Sequence, residues 1–404
     1  MICHQILFNT QTKRMFTNQE IRLDLLKQRA FNLRWAAVAE GVIPLTAADP
    51  DFPCAPQIAE AISKYASERY FSYAPAEGHS FFRESVARFH TNKRHVVTNP
   101  DFVIAVDSAA YGILMTCKAF ISKGDEAIVF NPVDFLFKYS VESCQGTAVL
   151  LAVPLSPDGM INIEALENAI TSKTKLICLC NPLNPTGKVF TKFELEQIGN
   201  LAIKHSLIIL SDEIWSDIVF GPHVYTSIAS VSEAIKQQTI IVTGYSKSYG
   251  LAGLRVGSVI APNEKLYQQV LLASDHQSTT HGCNVLAQVA VKSALDDCED
   301  WLHSFVNHLK NMRDICVEDL NKIVGISCHE PQGCYLVFPD ITDTGMNAET
   351  IQTFLLEKAK VAVVPGLGKW FGDRAAGHLR LSFATSEEIL KEGLNRITKV
   401  LNER

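Results

Sequence analysis

The 404-residue sequence contains no apolar run that approaches the roughly 20 residues needed for a membrane-spanning helix. It also contains no long basic run, and its net charge of -6 offers no electrostatic footprint for nucleic acid or an anionic membrane. Internal repeats, low-complexity tracts and linkers rich in proline and glycine are missing as well. We therefore expect an ordinary globular protein whose partners are small molecules, with neither nucleic acid nor membrane among them.

The cysteines also lack a recognisable pattern. The chain has 11 of them with no CxxC pair, and several lie in apolar stretches such as KLICLC, where cysteine behaves as a small hydrophobic side chain. This distribution favours reduced thiols over a metal site, so we expect no metal. The opening MICHQILFNTQTKRMF has no charged region followed by a long apolar region, so we expect no signal peptide and a cytoplasmic location.

Between about Asp101 and Pro262, short apolar runs alternate with longer amphipathic ones. The runs FVIAV, EAIVF, TAVLLAV, KLICLC, SLIILS, TIIVT and VGSVIA indicate strands, most of them apolar on both faces. The segments AAYGILMTCKAFISKG, FLFKYSVESCQG and KFELEQIGNLAIKHS have helical spacing, and glycine ends the first two where a helix C-terminus favours it. The alternation predicts an α/β fold in which helices sandwich a mostly parallel, seven-stranded sheet.

The C-terminal third has a different pattern. Residues 278–324 have apolar positions at helical spacing, and then GCYLVFPDI, AVVPG and HLRLSFA indicate short strands around a helix over residues 348–358. We expect residues 50–309 to form a large domain, with residues 1–49 and 310–404 contributing to a smaller α+β domain. The segment GLGKWFG fits neither a Walker loop nor GxGxxG spacing, and we interpret it as a loop.

Four of the predicted strands are followed by groups that could bind a ligand: an amide, a carboxylate, an amine and a helix N-terminus. They are Asn184 in NPLNPTG, Asp212 in SDEIW, Lys247 in GYSKSYG, and Ser108, Ala109 and Ala110 in DSAAYG. Open parallel sheets bind ligands beyond the carboxyl ends of their strands, so these groups should share one rim. Each alone has an ordinary explanation as a turn or a cap, but their combination favours a binding site.

The four groups match the chemistry of pyridoxal 5'-phosphate. The helix N-terminus at Ser108 suits a phosphate, and Ser246 and Arg255 could close around its other oxygens. A buried carboxylate such as Asp212 keeps a pyridine nitrogen protonated, and the Asn184 amide can donate to a phenolic oxygen. Lysine is the side chain that forms a Schiff base with an aldehyde. The sequence therefore predicts this cofactor.

The motifs YAPAEGHSFFRE, NPLNPTG, SDEIW, GYSKSYGLAGLRVG and HLRLSFA resemble those of fold-type I pyridoxal-phosphate enzymes of the class I/II aminotransferase family. The resemblance runs from about Ile43 to the C-terminus. It implies that Lys247 forms the Schiff base, Asp212 pairs with the pyridinium and Asn184 donates to the ring hydroxyl. It also implies that Arg255 binds the phosphate.

The resemblance further implies which residues bind substrate. Arg380 would bind the α-carboxylate as a bidentate pair, with Ala48 and Asn184 beside it. Tyr73 would reach the cofactor phosphate of a neighbouring subunit, which implies a homodimer with shared active sites.

An aromatic side chain is expected to stack on the cofactor ring. In NPVDFLF we assign that role to Phe135 or Phe137, although the family's usual aromatic aligns more nearly with Asp134. Together with Trp215 and Tyr335, these phenylalanines suggest a bulky apolar pocket, although core packing explains such residues equally well.

The sequence departs from the family pattern at three positions. Trp215 replaces the usual tyrosine, and its indole N–H can donate a hydrogen bond but cannot accept one. Gly244 stands where a serine or threonine usually precedes the lysine by three residues, which leaves Ser246 as the nearby hydroxyl. Ala48 replaces a glycine, and the resulting ADPDF segment resembles the cystathionine β-lyase-like branch of the family.

Two reactions remain open, transfer of an amino group from an amino acid to a 2-oxo acid and elimination of a β-substituent by a carbon–sulfur lyase. In both, Lys247 abstracts the α-proton, which requires its pKa to fall from about 10.4 toward roughly 7 to 8. The intact SKSYGLAGLRVG and the lack of histidine after SDEI favour amino transfer. A third hypothesis is a catalytically inactive regulator that binds the cofactor, but we find no winged-helix segment before Ile43.

Overall fold

The computed structural model describes residues 15–403. Residues 1–14 and residue 404 lie outside that description. Residues 1–14 include most of the opening segment for which we expect no signal peptide, and also the start of segment 1–49. The α-helices in chain order are α1 Leu23–Arg29, α2 Pro56–Ser67, α3 Ser80–Lys93, α4 Ala109–Phe120, α5 Leu136–Ser143, α6 Ile163–Asn168, α7 Lys192–Lys204, α8 Glu233–Lys236, α9 Glu264–Ala273, α10 Val285–Asp297, α11 Glu299–Leu320, α12 Ala348–Phe354, α13 Gly368–Phe371 and α14 Glu387–Asn402. Every helix in the described range is too short or too polar to traverse a bilayer.

The strands build one large sheet and two small ones. They are β1 Ile43–Pro44, β2 Val103–Val106, β3 Glu126–Asn131, β4 Thr147–Ala152, β5 Thr174–Cys180, β6 Ile208–Asp212, β7 Thr239–Gly244, β8 Gly257–Ile260, β9 Leu336–Val337, β10 Val361–Ala362, β11 Val364–Pro365 and β12 Leu379–Ser382. The large sheet has seven strands in the order β2-β8-β7-β6-β5-β3-β4. Strand β8 runs antiparallel to β2 and β7, and the other pairs are parallel.

The predicted α/β fold class and all seven predicted strands of the large sheet are confirmed. Strands β2, β7 and β8 are buried along their whole length, as their apolar residues on both faces require when helices cover the sheet. Helix α4 follows β2 and packs on the neighbouring strands β7 and β8. This connection places the N-terminus of α4 at the edge of the sheet where the parallel strands end.

The predicted ends of two helices are wrong by a few residues. Helix α4 ends at Phe120 because Ile121 adopts extended backbone and is buried, so Gly124 lies in the following turn. After α5, Gln145 rather than Gly146 takes the left-handed conformation, with φ 62°. A Cβ on Gly146 would lie 2.4 Å from the Ile121 side chain, so this glycine provides space for packing instead.

The smaller part of the molecule combines both ends of the chain. Strand β1 pairs in parallel with β10, while β12 lies between β11 and β9 in an antiparallel sheet. Helix α12 continues as a π-helical turn over Leu355–Ala359, so the predicted helix over residues 348–358 is present. The loop predicted for GLGKWFG is wrong, because Gly368–Phe371 forms the short helix α13. The domain boundaries at residues 49 and 309 stay a prediction.

Candidate active site

A cavity of about 330 Å³ lies where the parallel strands of the large sheet end. Its wall contains nearly every residue that the sequence singled out: Ala48, Ser108, Ala109, Ala110, Phe135, Asn184, Asp212, Trp215, Ser246, Lys247, Arg255 and Arg380. These residues come from segments up to 332 positions apart, from residue 48 to residue 380. The fold therefore brings the separate sequence motifs to one place.

One wall of the cavity is the N-terminus of α4. Ser108 caps this helix, because its hydroxyl accepts a hydrogen bond of 3.1 Å from the backbone N–H of Tyr111. The N–H groups of Ala109 and Ala110 are in the first turn, where a helix offers them no acceptor. A Cβ on Gly257 would lie only 2.8 Å from the nitrogen of Ala109, so glycine is needed for this close approach of strand and helix. The arrangement suits an anionic group such as phosphate.

Two further side chains complete the cationic and polar lining of this wall. Ser246 is partly buried, and Arg255 is exposed at the rim with a left-handed backbone of φ 53°. Arg255 ends a short turn that follows Lys247 in the chain. A serine hydroxyl and a guanidinium beside a helix N-terminus are the donors that a phosphate prefers.

Lys247 lies in the loop that leaves β7 and borders the cavity. Its ammonium donates a hydrogen bond of 2.7 Å to the carbonyl oxygen of Ala48 and lies 5.6 Å from the Trp215 ring centroid. Burial lowers the pKa of Lys247; the nearby carboxylate of Asp49 opposes this effect, and the positive charge of Arg380 adds to it. A lowered pKa is the direction of change that a lysine needs to act as a general base.

Asp212 ends strand β6 on the floor of the cavity. Only 6% of the residue is exposed, and one carboxylate oxygen accepts a hydrogen bond of 3.1 Å from the backbone N–H of Ile214. Burial raises the pKa of Asp212 to about 7, with a contribution from the negative charges of Asp134 and Glu213. Such a carboxyl group gains stability from a cationic ligand, and a protonated pyridine nitrogen is one.

Arg380 and Asn184 meet on the opposite side of the cavity. Arg380 donates from Nη1 to the side-chain oxygen of Asn184 at 3.2 Å, and 8% of Arg380 is exposed. The Nε atom of Arg380 is buried and has no hydrogen-bond partner within residues 15–403. Burial lowers the pKa of Arg380, and the negative charge of Asp134 opposes this change. A buried guanidinium with a free donor suits a ligand carboxylate.

The aromatic residues proposed for ring stacking have different positions. Phe135 is 39% exposed and lies against Trp370, with ring centroids 5.6 Å apart. Phe137 also borders the cavity but is 1% exposed and belongs to the core. Trp215 is 2% exposed and packs edge-on against Tyr335. Of the two phenylalanines, Phe135 is therefore the more accessible to a ligand.

The site contains residues to which the sequence assigned no role. Asp134 and Asp49 add carboxylates near Lys247, while Trp370 and Phe371 enter the cavity wall from α13. The alignment of Asp134 with the usual stacking aromatic was a usable signal, but nothing in the spacing of GLGKWFG indicated a contact with the site. Residues that approach from another part of the fold have no local pattern.

The glycine at position 244 has a packing explanation. A Cβ there would lie 3.1 Å from the Ile214 side chain and 3.2 Å from the Ala109 Cβ, so a serine or threonine would have to displace a neighbour. The absence of a side-chain hydroxyl at position 244 therefore goes together with tight packing between β7 and α4. Ser246 is the hydroxyl that borders the cavity in this loop.

Tyr73 is the predicted site residue that lies outside the cavity. It is 88% exposed, and its ring lies 5.3 Å from that of His281. Its expected contact with the phosphate of a neighbouring subunit stays a prediction.

Comparisons with known proteins identify the family. Residues 40–397 match the family described as aminotransferase class I and II. The putative aminotransferase YugH of Bacillus subtilis is 34% identical over 91% of this chain and 94% of its own. A probable aspartate/prephenate aminotransferase of Aquifex aeolicus is 33% identical over 90% of this chain and 91% of its own.

A solved structure supports the same assignment. A pyridoxal-phosphate-bound putative aminotransferase from Clostridium difficile has a TM-score of 0.87 and 26% identity, covering 93% of this chain and 98% of that one. The names of these relatives favour amino transfer over the lyase alternative. The chain belongs to the class I and II aminotransferase family and is a pyridoxal-phosphate-dependent aminotransferase.

Proposed function

We propose that Lys247 is the catalytic residue of this aminotransferase and that the cavity around it holds both the cofactor and the amino acid. One observation carries the proposal: an amine with a lowered pKa, a buried carboxyl group, an amide and a buried guanidinium line the same cavity. The four residues are Lys247, Asp212, Asn184 and Arg380. Scattered structural residues would have no reason to converge in this way.

The residues on the phosphate side fit the cofactor. When bound, pyridoxal 5'-phosphate supplies an aldehyde that condenses with amines and a pyridinium that withdraws electrons. Its phosphate fits the N–H groups at the start of α4, closed by Ser246 and Arg255. Asp212 would pair with the pyridine nitrogen, and Trp215 and Phe135, which line the same cavity, would supply apolar faces to the ring.

Asn184 has the donors needed for two partners. One N–H of its amide donates to Asp134 at 3.0 Å, so the second N–H remains for the phenolic oxygen of the cofactor. Its oxygen already orients Arg380. The same amide therefore links cofactor binding to substrate binding.

The proton on the α-carbon of the amino acid goes to the amine of Lys247. The carbonyl of Ala48 holds this amine in the cavity, and burial favours its neutral form. Arg380 binds the α-carboxylate as a bidentate pair beside Asn184, and this contact fixes which bond of the α-carbon faces Lys247. Lys247 would thus take the proton from a substrate whose carboxylate is already anchored.

A half-reaction tests this function. Purified enzyme with bound cofactor is mixed with single amino acids in the absence of any oxo acid, while the visible absorption and the 2-oxo acid product are measured. We expect one equivalent of 2-oxo acid per site, together with loss of the visible band. Continuous release of pyruvate and ammonia from a β-substituted amino acid would instead establish the lyase reaction.

We further propose that the protein acts as a homodimer. Support comes from a run of exposed aromatic side chains: Tyr70 is 80% exposed, Phe71 58% and Tyr73 88%. Monomeric proteins seldom leave such side chains together in solvent, and in the family resemblance this segment meets the neighbouring subunit. Analytical ultracentrifugation tests the proposal, and a monomer at micromolar concentration would contradict it.

A cytoplasmic location is also a proposal. The ten cysteines within residues 15–403 are all free thiols, and most are buried, which is typical of proteins from a reducing compartment. Cell fractionation tests the location, and recovery outside the cytoplasmic fraction would contradict it.

A further inference from the structure

Asp134 is an acidic residue where the family resemblance predicts an aromatic one. It lies between β3 and α5 and borders the cavity. Its Oδ1 accepts a hydrogen bond of 3.2 Å from the backbone N–H of Leu136, and its Oδ2 accepts one of 3.0 Å from the Asn184 amide. Burial raises the pKa of Asp134, whereas the positive charges of Arg380 and Lys247 and these two hydrogen bonds oppose that change. The contacts therefore support the carboxylate form and fix its direction.

The backbone on both sides of Asp134 is anchored as well. The N–H of Val133 donates to the carbonyl of Phe371 at 3.1 Å, and the N–H of Phe135 donates to that of Trp370 at 2.9 Å. These contacts connect the segment to α13. The position of the Asp134 carboxylate is thus set by the fold as well as by its own side-chain contacts.

One subunit contributes few cations to the cavity. The cations lining it within the described residues are Lys247, Arg255 and Arg380, and each already has a role in the proposed function. The carboxylate of Asp134 is linked to the guanidinium of Arg380 through Asn184. A distal carboxylate that approached Asp134 would meet a like charge there, and the described residues of the same subunit add no further cation to the cavity wall.

Much of the rest of the cavity wall is apolar. Its apolar residues include Leu33, Ile113, Phe135, Val364, Trp370 and Phe371. Such a surface gains free energy by covering an uncharged, bulky side chain, and these residues offer no positive charge to an acidic one.

We propose that Asp134 is a specificity-determining residue that disfavours amino donors with an acidic side chain and leaves bulky, uncharged donors preferred. This inference rests on the proposed function, because it takes Arg380 as the site of the α-carboxylate. The α-carboxylate is common to every donor, so its interaction with Asp134 cancels when two donors are compared. The remaining difference in free energy comes from the side chain of the donor, and this difference determines the specificity.

The experiment compares aspartate with phenylalanine as donors to the wild-type holoenzyme and to Asp134→Asn. We expect the wild type to prefer phenylalanine. In Asp134→Asn, kcat/KM for aspartate relative to phenylalanine should rise at least about tenfold, which corresponds to about 1.4 kcal/mol, mainly through a lower KM for aspartate. A wild type that prefers aspartate, or a ratio that does not change, overturns the inference.

Equilibrium binding supplies a readout that does not depend on turnover. Succinate and 3-phenylpropionate, which have no amino group, are titrated into holoenzyme, and the absorption of the bound cofactor gives their Kd values. Asp134→Asn should bind succinate about tenfold more tightly, with 3-phenylpropionate changed by less than about threefold. Asp134→Glu, which restores the charge, should return both values toward those of the wild type. Equal changes for both ligands would indicate a structural defect and overturn the inference.

A matched control removes a carboxylate close in sequence but outside the cavity. Glu142 lies on α5, is about half-exposed and pairs with Lys138. The variant Glu142→Gln should leave the donor ratio unchanged, and a shift equal to that of Asp134→Asn would refute a local role for Asp134. If the wild type converts no amino acid at all, the proposed function itself fails; if it transaminates but the ratio does not respond, only this inference fails.

Discussion

Two lysines keep their amines away from bulk solvent in this protein, and their surroundings differ. The Nζ of Lys188 lies 3.0 Å from the carboxylate of Glu194 and 2.8 Å from the carbonyl oxygen of Gly159, and the side chain is 2% exposed. The Nζ of Lys247 has a neutral carbonyl, that of Ala48, as its hydrogen-bond acceptor. One amine is thus fully paired, whereas the other keeps donors for a ligand.

Charge pairing distinguishes a lysine that stabilises the fold from one that can react. Burial alone would raise the pKa of Glu194, but hydrogen bonds from Thr191 and from Lys188 lower it, so this pair is held as ions. Burial lowers the pKa of Lys247, and the nearby carboxylates raise that pKa again only in part. A satisfied ion pair stabilises the fold, whereas an amine that is easily deprotonated can transfer protons.

The largest effect on activity is expected for replacement of Lys247. Replacing Lys247→Met keeps the apolar stem and removes the amine, so we expect kcat/KM to fall by about 1000-fold or more, which corresponds to about 4 kcal/mol of transition-state stabilisation. The visible absorption of covalently bound cofactor should also disappear. Unfolding in urea should show that the cofactor-free variant is as stable as the cofactor-free wild type. Retained turnover would mean that another group carries the proton.

The matched replacement Lys188→Met should give the opposite result. It leaves the Glu194 carboxylate, which is 0% exposed, without its cation, so the free energy of unfolding should fall by about 3–5 kcal/mol. Turnover per folded molecule should remain within about twofold of the wild type. Adding Glu194→Gln removes the stranded charge and should recover part of the lost stability. A loss of activity without a loss of stability would contradict the structural role.

Asp212 is a buried acid of the same cavity, and its raised pKa makes the stability of the protein depend on pH. Burial raises its pKa from 3.8 to about 7 in the cofactor-free protein. The folded state therefore holds this proton more tightly than the unfolded state, and the resulting stabilisation is present below about pH 4 and lost as the pH rises through 7. The Asp212→Asn variant has no carboxyl group at this position and does not lose stability in this way. Its free energy of unfolding minus that of the wild type should therefore increase by on the order of 2 kcal/mol from pH 5 to pH 8.

The measurement for Asp212→Asn is urea unfolding of the two cofactor-free proteins at both pH values. Titrating groups that do not interact with Asp212, such as the buried His90, are common to both proteins and cancel from the difference. The same substitution should weaken cofactor binding, because the pyridinium loses its carboxylate. A difference in stability that is independent of pH would show that Asp212 does not carry the raised pKa.

The smallest effect is expected for a lysine on the surface. Lys391 pairs with Glu387 one turn away on α14, and both side chains are about half-exposed. Water and salt screen such a pair, so Lys391→Ala should shift the thermal midpoint by no more than about 1 °C and leave activity unchanged. Differential scanning calorimetry provides the measurement, and a shift as large as that of Lys188→Met would erase the distinction between paired surface and paired interior lysines.

The sequence predicted the large sheet well because its strands are local patterns. Runs such as KLICLC and TIIVT are apolar on both faces, and a buried parallel strand has no other sequence requirement. The residues that follow these strands were also predictable, since chain direction sends Asp212, Asn184 and Lys247 to the same edge. Their chemical roles stay predictions, because position alone does not establish them.

What the sequence could not predict depends on contacts between distant segments. Trp370 and Phe371 reach the cavity because β11 and β12 carry α13 toward the segment around Asp134, and no periodicity in GLGKWFG encodes that approach. The ends of α4 and α5 were wrong because burial of Ile121, rather than a glycine signal, decides where the helix stops. Asp49 received no role because its effect on Lys247 is electrostatic and needs a distance.

The segment that carries Asp134 is held by backbone hydrogen bonds from Val133 and Phe135 to the carbonyls of Phe371 and Trp370. Backbone contacts survive almost any change of side chain, so the loop can keep its shape while residue 134 varies. Mutation at this one codon can therefore sample new donor preferences without first rebuilding the scaffold. A family that shares one reaction can change its substrate preference through such positions. A laboratory library that varies residue 134 alone would sample the same kind of change.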